Sequence, residues 1–401
     1  MLTRTGPQPA IKPSENKFAL GGSGVSVRIT NNIDDVKAEW LQLERKAPST
    51  IYQRFYWQRA WLETIGKSEH VHPLFVMGSR ASEPTFLLAL AVTQEAGLSV
   101  ARFFGGSHAN YKMGLFHADH NLSQSDITTL LKSVAERSTV PIDLFRLERM
   151  PCNWDGIPNP LCLPNSLHSI VEGSSAGLND GFETLLKRGN AKRKRKILNR
   201  QERIFSVYPD YGFQTVLKPD EVIEKFATFL AHKNNWFHER GIKNPFEGQA
   251  EQAFYQRLAE DNALCEDDES LLQINFVRAN NEVIALLGAG VFNGQHFSYF
   301  TSINPDDEYR SASPGALNFY RSIEYAAESG LRRFDFGVGT ERYKTHWCDE
   351  HHDLYDLNYA VSVKGRAAAL GLVCTTNLKR LLKKNRRLAD TSRKVSSLFG
   401  R

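Results

Sequence analysis

The residues best suited to chemistry lie together in FDFGVGTERYKTHW, residues 334–347, where an apolar strand meets two carboxylates, a tyrosine and a lysine. Asp335 or Glu341 could remove a proton from an attacking group, and Tyr343 could protonate a leaving group. Lys344 could stabilise an oxyanion or neutralise a phosphate. The combination predicts a group-transfer site just beyond the end of a strand.

Two glycines in this stretch, Gly337 and Gly339, would let a turn come close to a ligand. A second interpretation stays open. Glu341 could form a surface ion pair with a neighbouring cation, and Asp335, the only acid in its apolar strand, could simply hydrogen-bond a loop.

The loop YRSASPG, residues 309–315, precedes a predicted helix and suits an anion. A helix start carries free amide groups and the positive end of the dipole, and Ser, Pro and Gly there serve as cap, first-turn residue and point of close approach. Plain capping is the alternative. The candidate ligand-binding residues are Arg310, Ser311, Ser313, Gly315, Gly337 and Gly339.

The elements that would position these residues occur twice. Each half of the chain runs through helices, a β-meander, another helix and a strand, which predicts an α+β (mixed α/β) fold with mostly antiparallel sheets. The predicted elements are helix 55–66, strands within 73–104, helix 123–137 and strand 141–148, then helices 180–203, 219–241 and 248–262, strands 270–279, 282–293 and 295–304, helix 316–330, and strands 332–337 and 355–363.

The composition divides the chain into four predicted segments. Residues 1–24 are rich in Pro, Gly and Ser and are predicted to be a disordered leader. A proline-interrupted stretch places a boundary between a first domain, 25–176, and a second, 177–363. Residues 364–401 form a basic tail that can be helical.

The tail holds eleven basic residues and one acid, which gives it a net charge of +10. Because the whole chain carries +5, the remaining residues carry −5. With leucines on one side, such a helix suits an anionic membrane surface, and a solvated helix is the alternative. No nucleic-acid module is evident, so specific nucleic-acid binding is not expected. The basic helix at 180–203 is either solvated or anion-binding.

The composition, 41% hydrophobic and 24% charged, is that of a soluble globular protein, and no apolar run approaches the length of a membrane span. The N-terminal residues lack the apolar core of a secretory signal, so a cytoplasmic location is expected, with peripheral contact at the inner face of the membrane as an extension. Oligomeric state cannot be read from the sequence.

Five cysteines, an odd number without dense spacing, predict reduced thiols. His346, Cys348, His351 and His352 match no closed zinc pattern, so no metal is expected. Cys348 as a covalent nucleophile is an alternative. SHANYKMGLFHADH, residues 107–120, is interpreted as a surface loop, with an acceptor pocket between the domains as the alternative.

Residues 298–347 resemble the GNAT-like acyltransferases of the CelD/BcsL type, which are associated with cellulose and exopolysaccharide biosynthesis and are related to the FemAB transferases. The similar features are an aromatic strand, a loop ending SPG at 313–315, the FDFG strand at 334–337 and G-x-x-x-Y-K at 339–344. Upstream, the basic helix and a helix end with Trp236, Arg240 and Gly241 extend the resemblance to about residue 180.

The resemblance implies tandem acyl-CoA N-acyltransferase domains and acetyl-CoA or another acyl-CoA as co-substrate. In that family the loop before the helix holds the CoA pyrophosphate, which corresponds here to Arg310 through Gly315. The acceptor would be an amine or hydroxyl of a small molecule or sugar precursor. In Fem-type relatives a lysine near the end of the second domain contacts an aminoacyl-tRNA donor, and Lys344 resembles it. The alternatives are therefore Fem-like aminoacyl transfer to a cell-wall precursor, or a non-catalytic binding protein tethered by its tail.

Overall fold

The computed structural model describes residues 17–384 apart from positions 189, 243, 311, 340, 342 and 343, and only the backbone at 235, 310, 379 and 381–384. The strands within the described residues are β1 (Lys17–Leu20), β2 (Val25–Thr30), β3 (His72–Arg80), β4 (Glu83–Glu95), β5 (Leu98–Phe103), β6 (Leu115–Phe116), β7 (Leu144–Pro151), β8 (Asn153–Trp154), β9 (Ile157–Pro158), β10 (Leu167–Gly177), β11 (Gly212–Val216), β12 (Ser270–Ala279), β13 (Glu282–Phe292), β14 (Gln295–Ile303), β15 (Arg333–Val338) and β16 (Glu350–Ala360). The α-helices are α1 (Lys37–Lys46), α2 (Phe55–Trp61), α3 (Gln124–Arg137), α4 (Phe182–Lys187), α5 (Ala191–Phe205), α6 (Pro219–Glu239), α7 (Gln249–Glu260), α8 (Asp307–Arg310), α9 (Pro314–Glu328) and α10 (Val363–Lys384).

The first half is an antiparallel meander closed by a parallel strand. β2, β3, β4 and β5 pair in chain order, α3 crosses back, and the start of β7 then pairs in parallel with the middle of β5. Residues 86–92 of β4 are apolar without interruption because both faces are covered: Leu87 and Ala89 lie in one core, and Leu88 and Leu90 in another.

The second half repeats this order, as the sequence predicts. β12, β13 and β14 form the meander, α9 crosses back, and β15 pairs in parallel with β14 over only three residue pairs, from Gln295 with Arg333 to Phe297 with Asp335. β11 extends the meander at its outer edge. The predicted mixed α/β fold with duplicated halves is confirmed.

One fourteen-stranded sheet joins the two halves because they exchange strands. β10 follows the first half but pairs with β15 of the second, and β16 follows the second half but pairs with β7 of the first. β10 and β16 also pair with each other at the centre. The predicted boundary at 176/177 therefore falls at the end of a strand that lies beside the other half.

A shared core lies across the halves. Trp57 packs edge-on against Phe254 with ring centroids 5.1 Å apart. Arg54, 1% exposed, forms a 2.9 Å ion pair with Glu269 of the other half. Because removing one partner of a buried pair typically costs about 3–5 kcal/mol, such contacts fix the relative position of the halves.

Two predicted segments differ from the structure. Residues 17–20 of the supposed leader form β1, whose Leu20 is buried, because four residues are too few for a periodic signal; residues 1–16 lie outside the described range. The single helix predicted at 180–203 is two helices, α4 and α5, because Asn190 caps a new start by accepting a hydrogen bond from the Arg193 amide.

The expectation of reduced thiols is wrong for one pair. Cys152 and Cys162 form a disulfide. The short β8–β9 hairpin lies between them and brings their Cα atoms to 5.4 Å. Cys265, Cys348 and Cys374 are free.

Candidate functional site

β14 and β15 separate beyond Phe297 and Asp335, and the first half of the chain fills the start of the gap. Asn110 lies there. Its side-chain amide donates to the Tyr52 hydroxyl at 2.7 Å and to the Ser298 carbonyl at 3.4 Å. Gly337, with φ of +72°, lies so close that a Cβ on it would come within 2.5 Å of the Asn110 amide nitrogen. The inner end of the gap is therefore built from both halves.

Asp335 is fully buried beneath this gap. Its carboxylate accepts hydrogen bonds from the Tyr111 hydroxyl at 2.6 Å and from the Gly337 amide at 2.7 Å. Burial raises the pKa of Asp335 to about 6, against the opposing effect of these donors and of Lys344. The alternative in which Asp335 hydrogen-bonds a loop therefore has a specific partner, Tyr111.

Lys344 is also buried and holds the turn that follows β15. Its ammonium donates to the Val338 carbonyl at 2.8 Å and to the Gly337 carbonyl at 3.4 Å. Glu341, more than half exposed, pairs with the same ammonium at 2.9 Å. Gly339, with φ of +122°, donates its amide to the Glu172 carbonyl at 3.1 Å. Tyr343, the remaining catalytic candidate, lies outside the described residues.

The helix predicted to bind the donor begins at Pro314. Gly315 approaches the end of β14, where its Cβ position is 3.0 Å from the Ile303 side chain. The capping role predicted for Ser313 is wrong: its backbone is left-handed and its side chain makes no capping hydrogen bond, whereas its carbonyl accepts from the Gln201 side chain at 3.1 Å. Only the backbone of Arg310 is described, in α8, and Ser311 lies outside the described residues.

Two cavities flank the first turn of α9, and Ala316 lines both. The basic cavity, about 330 Å³, lies between α4, α5, α9 and the segment after Lys344. The α6 cavity, about 300 Å³, lies between α6, the end of β14 and α9. The helix start is therefore open to ligands on two sides.

The basic cavity combines cations with aromatic rings. Arg193 and Lys194 line it, and the Lys194 ammonium lies 4.1 Å from the centre of the Trp347 ring. Burial lowers the pKa of Lys194. Arg188 closes one side through ion pairs with Asp180 and Asp349.

Cys348 lines the basic cavity as well. Burial raises the pKa of its thiol to about 12. Because the thiolate is the nucleophilic form, this raised pKa does not support Cys348 as an acyl-carrying nucleophile.

The α6 cavity contains a histidine. The Nδ1 atom of His232 lies 3.1 Å from the Ser302 hydroxyl, and burial lowers its pKa to about 4, so the ring is neutral near pH 7. Lys233, whose pKa burial also lowers, lines the same space.

The structure places Asp335 and Gly337 in β15 and Gly339, Glu341 and Lys344 in the segment directly after it, with Ser313 and Gly315 at the start of α9. Sequence reasoning did not single out Gln201, Trp347 or His232 as site residues. The only available signals were a basic run before Gln201 and a tryptophan three residues after Lys344. His232 lies in an amphipathic helix and gives no signal.

The surface-loop interpretation of residues 107–120 is wrong for its central part. Tyr111 and Lys112 are buried, and Tyr111 packs on Trp154 with ring centroids 5.0 Å apart. Burial lowers the pKa of Lys112 to about 8. Tyr111 contacts Asp335 of the second half as well as Trp154 of the first, so its burial is complete only in the assembled pair of domains.

Comparisons with known proteins agree with this architecture. Residues 191–345 match the model of the acetyltransferase (GNAT) domain family. The comparison with curated proteins finds no match.

Solved structures show the same overall fold at low sequence identity. FemX is 10% identical, covers 83% of this chain and 97% of its own, and has a TM-score of 0.56. The C-terminal domain of a protein described as a lysylphosphatidylglycerol synthetase from Agrobacterium fabrum is 12% identical, with coverages of 86% and 97% and a TM-score of 0.53. A conserved protein of unknown function from Bacteroides thetaiotaomicron is 12% identical, with coverages of 83% and 99% and a TM-score of 0.52.

Residues 191–345 thus match a GNAT-type acetyltransferase domain, and the predicted enzyme class, an acyltransferase, is confirmed. At these identities the solved structures establish the fold alone.

Proposed function

We propose that this chain transfers an acyl group, in the simplest case acetyl, from acyl-CoA to an amine or hydroxyl of a small molecule or sugar precursor. The observation that carries the proposal is the start of α9, which opens onto two cavities beside the point where β14 and β15 separate. It lies within the segment that matches the GNAT domain.

The donor phosphates would bind at the first turn of α9. Pro314 has no amide N–H and the Ala316 amide donates to the Ser313 carbonyl at 3.0 Å, so the phosphates would meet the Gly315 backbone and the positive end of the helix dipole. Arg193 and Lys194 add positive charge on the side of the basic cavity. Arg310 and Ser311 remain part of this proposal from their position in the chain.

The reaction we propose is direct attack. The acceptor nitrogen or oxygen forms a bond to the thioester carbonyl carbon, the carbon–sulfur bond breaks, and the acceptor proton leaves to a base. Glu341 is the exposed candidate base, and Tyr343 is the proposed acid that returns a proton to the CoA thiolate.

Lys344 supports this reaction through position. With its ammonium bound to two carbonyls of the turn, it fixes the backbone on which Glu341 lies. The positive charge of Lys344 would also stabilise an oxyanion that develops nearby. Asp335 acts in the same way, since its carboxylate holds Tyr111 and Gly337 beneath the site.

Fem-like transfer from aminoacyl-tRNA is the second candidate, and the face of α5 favours it. Lys192, Arg193, Lys196 and Arg200 are exposed on that helix. A row of cations beside a donor cavity would suit a nucleic-acid backbone as well as a nucleotide. The specific link to cellulose or exopolysaccharide assembly rests on the CelD/BcsL resemblance.

A calorimetric titration separates these candidates. Acetyl-CoA should release heat on binding, and Ala316→Glu should weaken that binding by about tenfold or more by placing a negative charge against the donor phosphates. An acid at a helix start favours the helix itself, so the fold should be retained. Ser329→Glu, at the opposite end of α9, is the matched control and should bind as wild type.

No heat with acetyl-CoA, together with binding of an aminoacyl-tRNA, would replace the first candidate with the second. Binding of neither donor would leave the non-catalytic alternative. Equal affinity of Ala316→Glu and wild type would remove the start of α9 from the donor site.

A further inference from the structure

The first turn of helix α10 packs against the first half of the chain. A Cβ at Gly365 would fall 2.0 Å from the Asp143 carbonyl oxygen, so the helix backbone lies directly on the first half. The Lys364 ammonium adds a 2.9 Å ion pair with Asp143 and a 3.2 Å hydrogen bond to the Gly97 carbonyl. The orientation of the helix is therefore set from its first turn.

The outward face of α10 is apolar. Val363, Leu370 and Leu378 are 83%, 68% and 56% exposed. At 3.6 residues per turn these positions share one side of the helix, and the residues between them on that side, Ala367, Gly371 and Cys374, are exposed too. This apolar face runs for about 22 Å along the helix axis.

The opposite side faces the sheet. Ala368, Leu372, Val373 and Thr376 are half-buried there, and α10 packs on β16, β10 and β7. An amphipathic helix normally buries its most apolar side. Here Val363, Leu370 and Leu378 face outward while Leu372 and Val373 face the sheet, so both sides are apolar and the outward one stays exposed as a contact surface.

The positive charge of α10 and of the residues after it favours an anionic partner. Residues 363–384 contain six basic residues and no acidic one, and residues 385–401 add five basic residues and one acid. A second copy of this chain would bring the same positive charge to the contact. An anionic surface is complementary to it.

We propose that the apolar face of α10, defined by Val363, Ala367, Leu370, Gly371, Cys374 and Leu378, lies in the surface of a membrane that contains anionic phospholipids. Among the described helices none is long and apolar enough to cross a bilayer, so α10 lies in the interface plane. The apolar side chains enter the acyl boundary while the flanking lysines and arginines meet the headgroups. This docking is independent of the acyl donor and is tested without it.

Vesicle co-sedimentation tests the proposal with the full chain. Wild type should bind phosphatidylcholine vesicles with about a third phosphatidylglycerol, bind pure phosphatidylcholine far more weakly, and lose affinity as salt rises to about 0.5 M. Leu370→Glu should lose about tenfold or more in affinity because it places a charge in the apolar boundary. Leu264→Glu is the matched control, since Leu264 is an exposed leucine remote in sequence, and it should bind as wild type.

A fluorophore provides a second readout. An environment-sensitive dye on the exposed Cys374 should shift to shorter wavelength when anionic vesicles are added. The same dye on Ser68→Cys in a Cys374→Ser background should not shift, because Ser68 is exposed in a helical segment of the first half and does not belong to α10.

Three results would overturn the proposal. Wild type could fail to bind anionic vesicles at low salt. Leu370→Glu could bind as tightly as wild type, which would assign the binding to charge alone. Light scattering could show a dimer without lipid that Leu370→Glu dissociates, which would make a second copy the occupant of this face.

Discussion

The Tyr111 hydroxyl, from the first half of the chain, donates a 2.6 Å hydrogen bond to the carboxylate of Asp335 in the second. Both residues are fully buried, and their positions are 224 residues apart in the chain. The candidate turn after β15 is thus supported from below by a residue of the other half.

Tyr111→Phe should lower the free energy of unfolding by about 1–3 kcal/mol at pH 7, because it leaves a buried carboxylate with one donor fewer. Urea unfolding of the variant and of wild type measures the difference. Tyr325→Phe, at an exposed tyrosine, should change stability by less than about 0.5 kcal/mol. Equal stability of Tyr111→Phe and wild type would show that the hydrogen bond contributes nothing.

Asp335 should make stability depend on pH in the weakly acidic range. Its pKa is about 6 in the folded state against 3.8 as the ordinary value, so the folded state binds the proton more tightly. The stabilisation is complete below the ordinary pKa and is lost as pH rises through the folded pKa, with an upper size of about 3 kcal/mol. Asp335→Asn, which keeps the shape and the acceptor oxygen, should flatten the fall in unfolding free energy between about pH 4 and 6. An identical pH profile in both proteins would contradict the shifted pKa.

Gly337→Ala should be more harmful than its backbone strain alone. The added methyl group would meet the Asn110 amide at 2.5 Å, in addition to the cost of a positive φ. Gly330→Ala is a close control, since φ there is +76° and no atom lies within 4 Å of its Cβ position. We expect Gly337→Ala to lose about 1–3 kcal/mol more than the control in thermal or urea unfolding. Equal losses would mean that Asn110 moves aside freely.

Lys344→Ala should reduce acyl transfer from acetyl-CoA by about tenfold or more, because the turn that carries Glu341 loses the cation that holds two of its carbonyls. The rate in a purified assay is the measurement, and Lys67→Ala, at an exposed lysine of the first half, should retain it. Transfer at the wild-type rate by Lys344→Ala would end both the positioning and the oxyanion role.

The Cys152–Cys162 disulfide should be visible as three reactive thiols in the denatured, unreduced chain and five after reduction. Cys152→Ser should lower the free energy of unfolding by about 2–3 kcal/mol, since the bond closes a loop in the unfolded chain. Cys374→Ser, at an exposed thiol, should have no effect. Because cytosolic proteins seldom keep disulfides, five thiols without reductant would favour the expected cytoplasmic location, and three would oppose it.

Sequence periodicity predicts the meanders, α3, α9 and the strand that contains Asp335, since each depends on neighbours close in the chain. β10 is not predicted because its serines and glycines resemble a loop, and the contacts that bury them are distant in the chain: β15 and β16 pair with β10, and Tyr111 lies against Gly173. The role of Tyr111 could not be predicted for the same reason, because its partner Asp335 is distant in the chain and no local pattern connects the two. The sequence thus predicts the strand that contains Asp335, whereas the contacts that support this strand from the other half could not be predicted.

The exchange of β10 and β16 has a consequence for how the chain can be divided. A cut in the loop after β10 would release two fragments, each of which carries a strand that completes the other's sheet. Neither fragment could cover its central strand edge alone, so the two would be expected to reassemble or aggregate. The first domain is therefore a structural requirement of the second, and it cannot be removed as an appendage.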